Sequence, residues 1–402
     1  MKLFGELVPF ETAQDIIERY TLPVEHTQGL GIDAALGRVL AEDIIALHYT
    51  PPFNRAGMDG YAVISGDTTS ASKQNPEKLK LVDTLYAGSI PTVKLSAGEC
   101  IQIATGTQMP VGADAVVMVE YTERQGDEVS IFKPVSSLDN VGLKGEDIKK
   151  GDVVLKHSVC LDAGKIGVLA SQGLRLIKVY QRPVVAILPT GEEIVEIGKK
   201  LKPGQIYGIN SHTLSAVVKE SGGLPVIFPI TRDNIESIKT NLAKALDEAD
   251  IVVTSGGSSV GEKDLIINIL EEWGKVLLHG RKIKSGKPTT FAVVRGKPVL
   301  GMPGYPTSCL MNAYLFLGPA IRRMAHLPPK RNIEVDAKLG ERVTGSVSRK
   351  QFLPVKIEGD IAQPIFKKSR AITGTAKADG YIIIAENTSI MEKDEPVMVT
   401  LF

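Results

Sequence analysis

From Arg182 onward the sequence alternates between short apolar runs and segments with helical spacing, and this rhythm restricts the possible folds more than any other feature. The runs Val184 to Leu188, Leu224 to Phe228 and Ile251 to Thr254 read as strands, and Ser211 to Ser221, Ile235 to Leu246 and Leu265 to Glu272 read as the helices that follow them. Strand, helix, strand repetition implies parallel pairing, because right-handed crossovers place helices on both faces of one sheet. The expected fold class is α/β plus β and multidomain, centred on a three-layer α/β domain with a mostly parallel sheet and a ligand beyond the strand carboxyl ends. Two more strands, Thr290 to Val294 and Pro298 to Met302, precede a helix from Thr307 to Met324, and the two prolines within Leu327 to Lys330 mark a boundary.

The flanking regions have a different rhythm. Asp43 to Val154 shows short strand-like runs, such as Ala115 to Val119 and Val129 to Phe132, punctuated by Gly, Pro and Asp. Within it the polar stretch Thr68 to Lys80 reads as an exposed loop. From Ile333 to the end, turn signals about every ten residues predict a small C-terminal β-barrel or sandwich. Near the start, Thr12 and Asp15 resemble a helix N-cap pair ahead of a stripe of Ala13, Ile16, Ile17 and Tyr20.

Composition narrows the function. Across 402 residues, 47 Lys and Arg balance 46 Asp and Glu, so no global field favours nucleic acid or a membrane surface, and an anion site has to be local. The three cysteines, Cys100, Cys160 and Cys309, lie far apart without CxxC spacing, which argues against a disulfide framework or a thiolate metal site. No signal-like segment or membrane-length apolar run is present, so the expected location is cytoplasmic.

Two loops carry the strongest chemical signals. Thr254-Ser255-Gly256-Gly257-Ser258-Ser259-Val260-Gly261-Glu262-Lys263-Asp264 joins a strand to a helix, and its glycines and hydroxyls suit an anion, although a plain turn with Asp264 as cap has the same composition. Gly301-Met302-Pro303-Gly304-Tyr305-Pro306-Thr307-Ser308 opens the long helix, whose N-terminus favours an anion by roughly 0.3–1 kcal/mol; Thr307 and Ser308 also suit N-caps. Between the loops, Arg281, Lys282, Lys284 and Lys287 form a basic cluster around Ser285-Gly286. Glu192, Glu193, Asp233 and Asp264 follow successive strands and suit magnesium, while Asp233 equally suits a helix cap.

Read in order, Ala35-Leu36-Gly37-Arg38-Val39-Leu40, Pro51-Pro52-Phe53 to Met58-Asp59-Gly60-Tyr61-Ala62-Val63, Ala104-Thr105-Gly106, Gly112-Ala113-Asp114-Ala115-Val116-Val117, Gly145-Glu146-Asp147-Ile148, Thr190-Gly191-Glu192-Glu193 and Lys284-x-Gly-Lys-Pro, together with the two loops, resemble the molybdopterin molybdenumtransferase family, which includes the carboxy-terminal domain of gephyrin. The resemblance spans nearly the whole chain. It implies an elongated discontinuous domain (1–45 with 146–180), a β-rich inserted domain (46–145), a three-layer α/β molybdopterin-binding domain (181–326) and a C-terminal β domain (327–402). It also implies an L-shaped homodimer with a shared active site. The implied reaction inserts molybdenum from molybdate, or tungsten from tungstate, into adenylated molybdopterin, with Mg2+ and release of AMP. The pterin adenylyltransferase is a further implied partner, and nucleic acid and membrane are not.

Carried over by position, the resemblance makes Asp59, Thr105, Asp147, Glu193, Asp233, Asp264 and Lys284 catalytic, with Glu193, Asp233 and Asp264 as metal ligands. Ser255, Gly256, Gly257, Ser258, Ser259, Gly261, Lys287, Gly301, Pro303, Gly304, Pro306, Ser308, Arg349 and Ser369 become substrate- and phosphate-binding residues. Asn54, Ala56, Glu192 and Gly280 stand where many or some relatives have Asp, Ser, Asp and Lys. The alternatives are a molybdopterin adenylyltransferase and a non-catalytic molybdopterin-binding scaffold.

Overall fold

The computed structural model describes residues 8–256, 265–280, 289–346, 349–366 and 371–402, and the backbone of 283–284. The chain divides into two compact units, Met1–Gln28 with Gly37–Val39 and Lys178–Phe402, and Gly29–Leu36 with Leu40–Ile177.

The second of these is β-rich, as its sequence rhythm predicts. Its main sheet has six strands in the order Ala115–Met118, Gly60–Val63, Glu99–Ile103, Glu77–Leu85, Glu128–Ile131, Thr122–Gln125. Tyr61, Val63, Leu79, Leu81, Val117, Val129 and Ile131 fill one core cluster, while Ala62, Ile101, Ile103 and Val116 belong to another. Period-two alternation therefore buries both faces. Gly60 is required at its position, because a Cβ there would lie 1.9 Å from the Val117 carbonyl oxygen. The polar stretch Thr68 to Lys80 is not one loop. Thr68 is fully buried, its hydroxyl donating to the Ser65 carbonyl at 2.9 Å, and Glu77 already begins a strand. Leu79 and Leu81, separated by Lys80, are a strand alternation that the surrounding polar residues mask in sequence.

In the other unit, the α/β sheet runs Leu224–Ile227, Val184–Pro189, Ile251–Ser255, Lys297–Met302, Thr290–Val294, Gly274–His279. The first four strands are parallel; the last two pair antiparallel, Gly274–His279 with Thr290–Val294 and the latter with Lys297–Met302. Alternate residues of the buried strands feed two cores. Val185, Ile187, Ile251 and Val253 pack with Leu214, Val217 and Phe316, whereas Ala186, Leu188 and Val252 pack with Leu242, Leu246, Ile266 and Leu270. That division makes the domain three-layered. The edge strand Gly274–His279 follows the helix Leu265–Trp273 without a loop, which hides it from a search for turn signals.

The long helix is continuous in direction but not in winding: Pro306–Asn312, a π-helical stretch Ala313–Leu317, then Gly318–Met324. Pro319 has no N–H to give to the carbonyl four residues back, at Leu315. Gln14 supplies a donor instead, its Nε2 lying 3.5 Å from the Leu315 oxygen. The first helix spans Phe10–Tyr20 with Pro9 at its N-cap and no side-chain cap bond, so Thr12 is not a cap. Helix entry is anchored by Phe10, whose ring lies 5.2 Å from Phe316 and 5.1 Å from Phe352.

Toward the C-terminus five strands close on themselves in the order Lys350–Glu358, Ile361–Pro364, Glu334–Leu339, Pro396–Leu401, Gly380–Ile384, with Gly380–Ile384 returning to Lys350–Glu358. Of the barrel and sandwich anticipated, the barrel is what forms, around Leu339, Leu353, Val355, Ala362, Ile382 and Val399. Among the described residues no helix is long and apolar enough to cross a membrane.

Phe291 is fully buried on the antiparallel strand and belongs to the core shared with Phe316. Phe291→Ala is expected to cost about 3–5 kcal/mol, read as a lower denaturant midpoint for the unit's unfolding; a change below about 1 kcal/mol would show that the site is not closely packed.

Candidate functional site

The parallel strands of the α/β sheet end together, and pairing continues one step beyond them. Thr190 N–H donates to the Ser255 carbonyl at 3.0 Å, Thr231 N–H to Pro189 at 2.8 Å and Gly191 N–H to Thr231 at 3.3 Å. Thr190, Thr231, Thr254 and Ser255 are buried there, making a polar floor at the carboxyl ends of three strands.

On this floor the two glycine turns meet. Gly256 has φ +101°, and a Cβ on it would lie 2.4 Å from the Thr190 carbonyl oxygen, so no other residue fits without displacement. A Cβ on Gly304 would lie 3.8 Å from the Gly256 Cα. The turns after Ile251–Ser255 and Lys297–Met302 thus lie side by side, with room for one more carbon between Gly304 and Gly256. Asn210, in the first turn of helix Ile209–Glu220, bridges them: its Nδ2 donates to Ser255 Oγ at 2.9 Å and to the Gly304 carbonyl at 3.0 Å. Of the predicted binding residues, Gly301, Pro303 and Ser308 are buried, Pro306 is half-buried and Gly304 is exposed. Gly301 pairs with Thr254, one step before the last pair of that register, Ser255 with Met302.

The helix after Gly304 starts at Pro306 with Tyr305 as N-cap and no side-chain cap bond. Thr307 and Ser308 are therefore not caps. Thr307 Oγ1 donates instead to the Ala371 carbonyl at 3.1 Å, tying this helix to the segment just ahead of the short helix Thr373–Ala376. Beneath the turns, burial pushes the Cys309 thiol up to about 12, despite a hydrogen bond with Ser255 that opposes the shift. Such a thiol is no nucleophile at neutral pH. All three cysteines are unpaired.

Acidic groups flank the same strand ends. Glu193 turns its carboxylate back over Gly191, where an added Cβ would meet Oε2 at 2.8 Å. Asp233 is not a helix cap: the neighbouring Asn234 takes that role, accepting from Ser237 N–H at 2.8 Å. Although solvent reaches its side chain, the Asp233 carboxyl is held above the ordinary range, first by desolvation and then by the negative charges of Glu193 and Glu192. These three acids therefore form one repulsive cluster. Among the described residues, no set of three or more His, Cys, Asp and Glu side chains is arranged as a metal cage.

Asp264, Gly257, Ser258, Ser259, Gly261, Lys287 and Ser369 lie outside the described residues, as do Arg281 and Lys282. The Lys284 backbone pairs with Gln351, and Arg349 lies just before that strand. The sequence motifs include Thr190 but not Asn210 or Thr231; a polar residue in the first turn of a helix or just past a strand is the available signal.

In the β-rich unit Asp59 and Thr105 form a built pair. Thr105 donates to Asp59 Oδ1 through its backbone N–H at 2.6 Å and its hydroxyl at 2.9 Å. These bonds, the backbone one first, hold the exposed Asp59 carboxyl below its usual value. Asp147 is exposed on a separate turn, its N–H donating to the Thr50 carbonyl at 3.1 Å.

Two outcomes follow. Thr105→Val keeps the backbone donor and loses the hydroxyl, so the Asp59 titration should move up toward the ordinary carboxylate range, as read by carbon-13 NMR; an unmoved titration would remove the hydroxyl from the account. The stabilisation carried by this depressed carboxyl is present above its unfolded value and disappears as pH falls through its folded one, earlier in the variant than in the wild type. Gly256→Ala should lower stability by about 1–3 kcal/mol and disturb Gly304, seen as faster amide exchange in both turns; unchanged exchange at Gly304 would show the turns to be independent.

Comparison with known proteins agrees along the length of the chain. Residues 8–173 match the "MoeA N-terminal region (domain I and II)", 186–323 the "Probable molybdopterin binding domain" and 336–402 the "MoeA C-terminal region (domain IV)". A Methanocaldococcus jannaschii protein named for molybdopterin biosynthesis is 36% identical and aligned over all of both chains. A molybdopterin molybdenumtransferase of Staphylococcus epidermidis is 33% identical over 89% of this chain and 87% of its own. The crystal structure of a molybdopterin biosynthesis MoeA protein from Pyrococcus horikoshii shares 40% identity and a TM-score of 0.87, covering 98% of this chain and 99% of that one. Sequence motifs, the α/β sheet with its paired glycine turns and the closed barrel thus coincide in one assignment: the chain belongs to the MoeA family, the molybdopterin molybdenumtransferases of molybdenum-cofactor biosynthesis.

Proposed function

We propose that this enzyme inserts molybdenum from molybdate, or tungsten from tungstate, into adenylated molybdopterin with release of AMP. The observation that carries the reading is the meeting of the Ser255–Gly256 and Gly304 turns at the carboxyl ends of adjacent parallel strands. Glycines at both turns of such an edge admit a phosphate close to the backbone, and the helix that opens at Pro306 begins beside them. A pterin that carries phosphate through an anhydride to AMP matches that surface in charge and shape. Release of AMP cleaves the anhydride P–O bond by addition of one water, and exchange of one molybdate oxo group for the two dithiolene sulfurs, with their two protons, releases one water; the protein's task is to hold the phosphates and the oxyanion in register.

Magnesium fits the acid cluster by donor chemistry. Hard cations prefer carboxylate oxygen, and Mg2+ commonly takes only one or two carboxylates together with substrate phosphates and water. Glu193 and Asp233 would hold it, and relief of their mutual repulsion is a reason for binding. Bound there, the ion would neutralise phosphate charge. Lys284 and Arg349, whose segments are paired or adjacent, would contribute positive charge on the oxyanion side. In the proposed homodimer, Asp59, Thr105 and Asp147 of one protomer complete the site of the other; the Thr105 bonds keep Asp59 ionised and oriented for that role.

The test is incubation of the purified protein with adenylated molybdopterin, molybdate and Mg2+, following AMP release and metal retained on the pterin. Both are expected to depend on molybdate. Asp59→Ala and Asp233→Ala are each expected to slow AMP release about a hundredfold or more without unfolding the protein. Rapid ATP-dependent adenylation of metal-free molybdopterin would overturn the assignment in favour of an adenylyltransferase, and unchanged turnover in both variants would favour a scaffold.

A further inference from the structure

The Asn210 side chain is bonded in an asymmetric way. Its Nδ2 uses both hydrogens, one to Ser255 Oγ and one to the Gly304 carbonyl, while its Oδ1 is buried and has no hydrogen-bond partner among the described residues. The orientation is fixed by chemistry, since the Gly304 carbonyl only accepts and has to face the amide nitrogen. An unsatisfied buried acceptor is costly, and a shorter hydroxyl side chain would avoid it. No hydroxyl, however, donates twice from one atom; aspartate donates nothing, and glutamine is a methylene longer. Asparagine is the residue type that ties both turns from this point, and the orphaned oxygen is the penalty of doing so.

We propose that Asn210 is a positioning residue for the phosphate cradle: its amide holds the Ser255–Gly256 turn and the Gly304 turn at one spacing, so that the phosphate-bearing pterin meets both together. Gly256 and Gly304 themselves have no side chain with which to set that spacing. The turns come from separate strands, and a Cβ added to Gly304 would still clear the Gly256 Cα by 3.8 Å; the side chain that joins the two turns is that of Asn210. Ser255 is buried at the end of its strand and its carbonyl accepts from Thr190 N–H at 3.0 Å, so the bridge ends on a residue held by the sheet. This inference rests on the function proposed above for the ligand, but not for the bridge.

The experiment compares wild type, Asn210→Ala and the nearly isosteric Asn210→Asp as full-length proteins. KM for adenylated molybdopterin in AMP release should rise about tenfold or more in Asn210→Ala, with kcat changed less than about threefold and no fall in the unfolding midpoint. Asn210→Asp should bind more weakly still at neutral pH and recover, relative to wild type, as pH falls through the carboxyl's titration, because the protonated acid again donates to Gly304. The alanine variant should show no such recovery. An alanine variant with KM within about twofold of wild type, or an aspartate variant whose ratio to wild type is flat with pH, overturns the proposal. If alanine prevents folding, the aspartate pH profile decides alone. If wild type releases no AMP, the proposed reaction fails, and calorimetric titration of the same proteins with metal-free molybdopterin, through its terminal phosphate, decides the Asn210 proposal by the same criteria.

Discussion

The parallel register between Val184–Pro189 and Ile251–Ser255 organises everything around the candidate site. It aligns the carboxyl ends of the strands, and the extra bonds from Thr190 to Ser255 and from Thr231 to Pro189 carry that alignment into the loops. Because side chains on these strands alternate between two cores, a shift of one residue would exchange the cores and move every turn off the edge. The geometry of the glycine turns is therefore secured by apolar packing remote from any ligand.

Electrostatically the edge is divided. Backbone donors and glycine gather around Ser255, Gly256 and Gly304, whereas carboxylates gather around Glu192, Glu193 and Asp233. A near-neutral chain without a global field concentrates opposite potentials over neighbouring loops of one sheet. That division suits a substrate whose phosphates need donors on one side and a divalent ion on the other.

The parallel strands were legible because they are uninterrupted apolar runs of the right length, and the glycine turns because they sit between such runs and helices. Other features depended on choices that local composition does not make. Asp233 and Asn234 are adjacent and both suit a cap; only the Ser237 N–H bond identifies Asn234. Gly274–His279 was hidden because helix passes directly into strand. Asn210 owes its importance to partners 45 and 94 residues away, a relation that periodicity does not encode. The resemblance to a family singles out Asp59, Asp147 and Asp233 as candidate site acids, where residue-by-residue reading stops at turns and caps.

The closed barrel has a consequence for solubility. Gly380–Ile384 contains three consecutive isoleucines after a tyrosine, a composition prone to cross-β stacking when a strand edge is open. Here the whole segment is paired on one side with Lys350–Glu358, and Gly380 to Ile382 are paired on the other with Pro396–Leu401, so the first part of the run is closed on both sides. Ring closure thus acts as a guard against self-association, one that would be lost if the terminal strand Pro396–Leu401 were trimmed away.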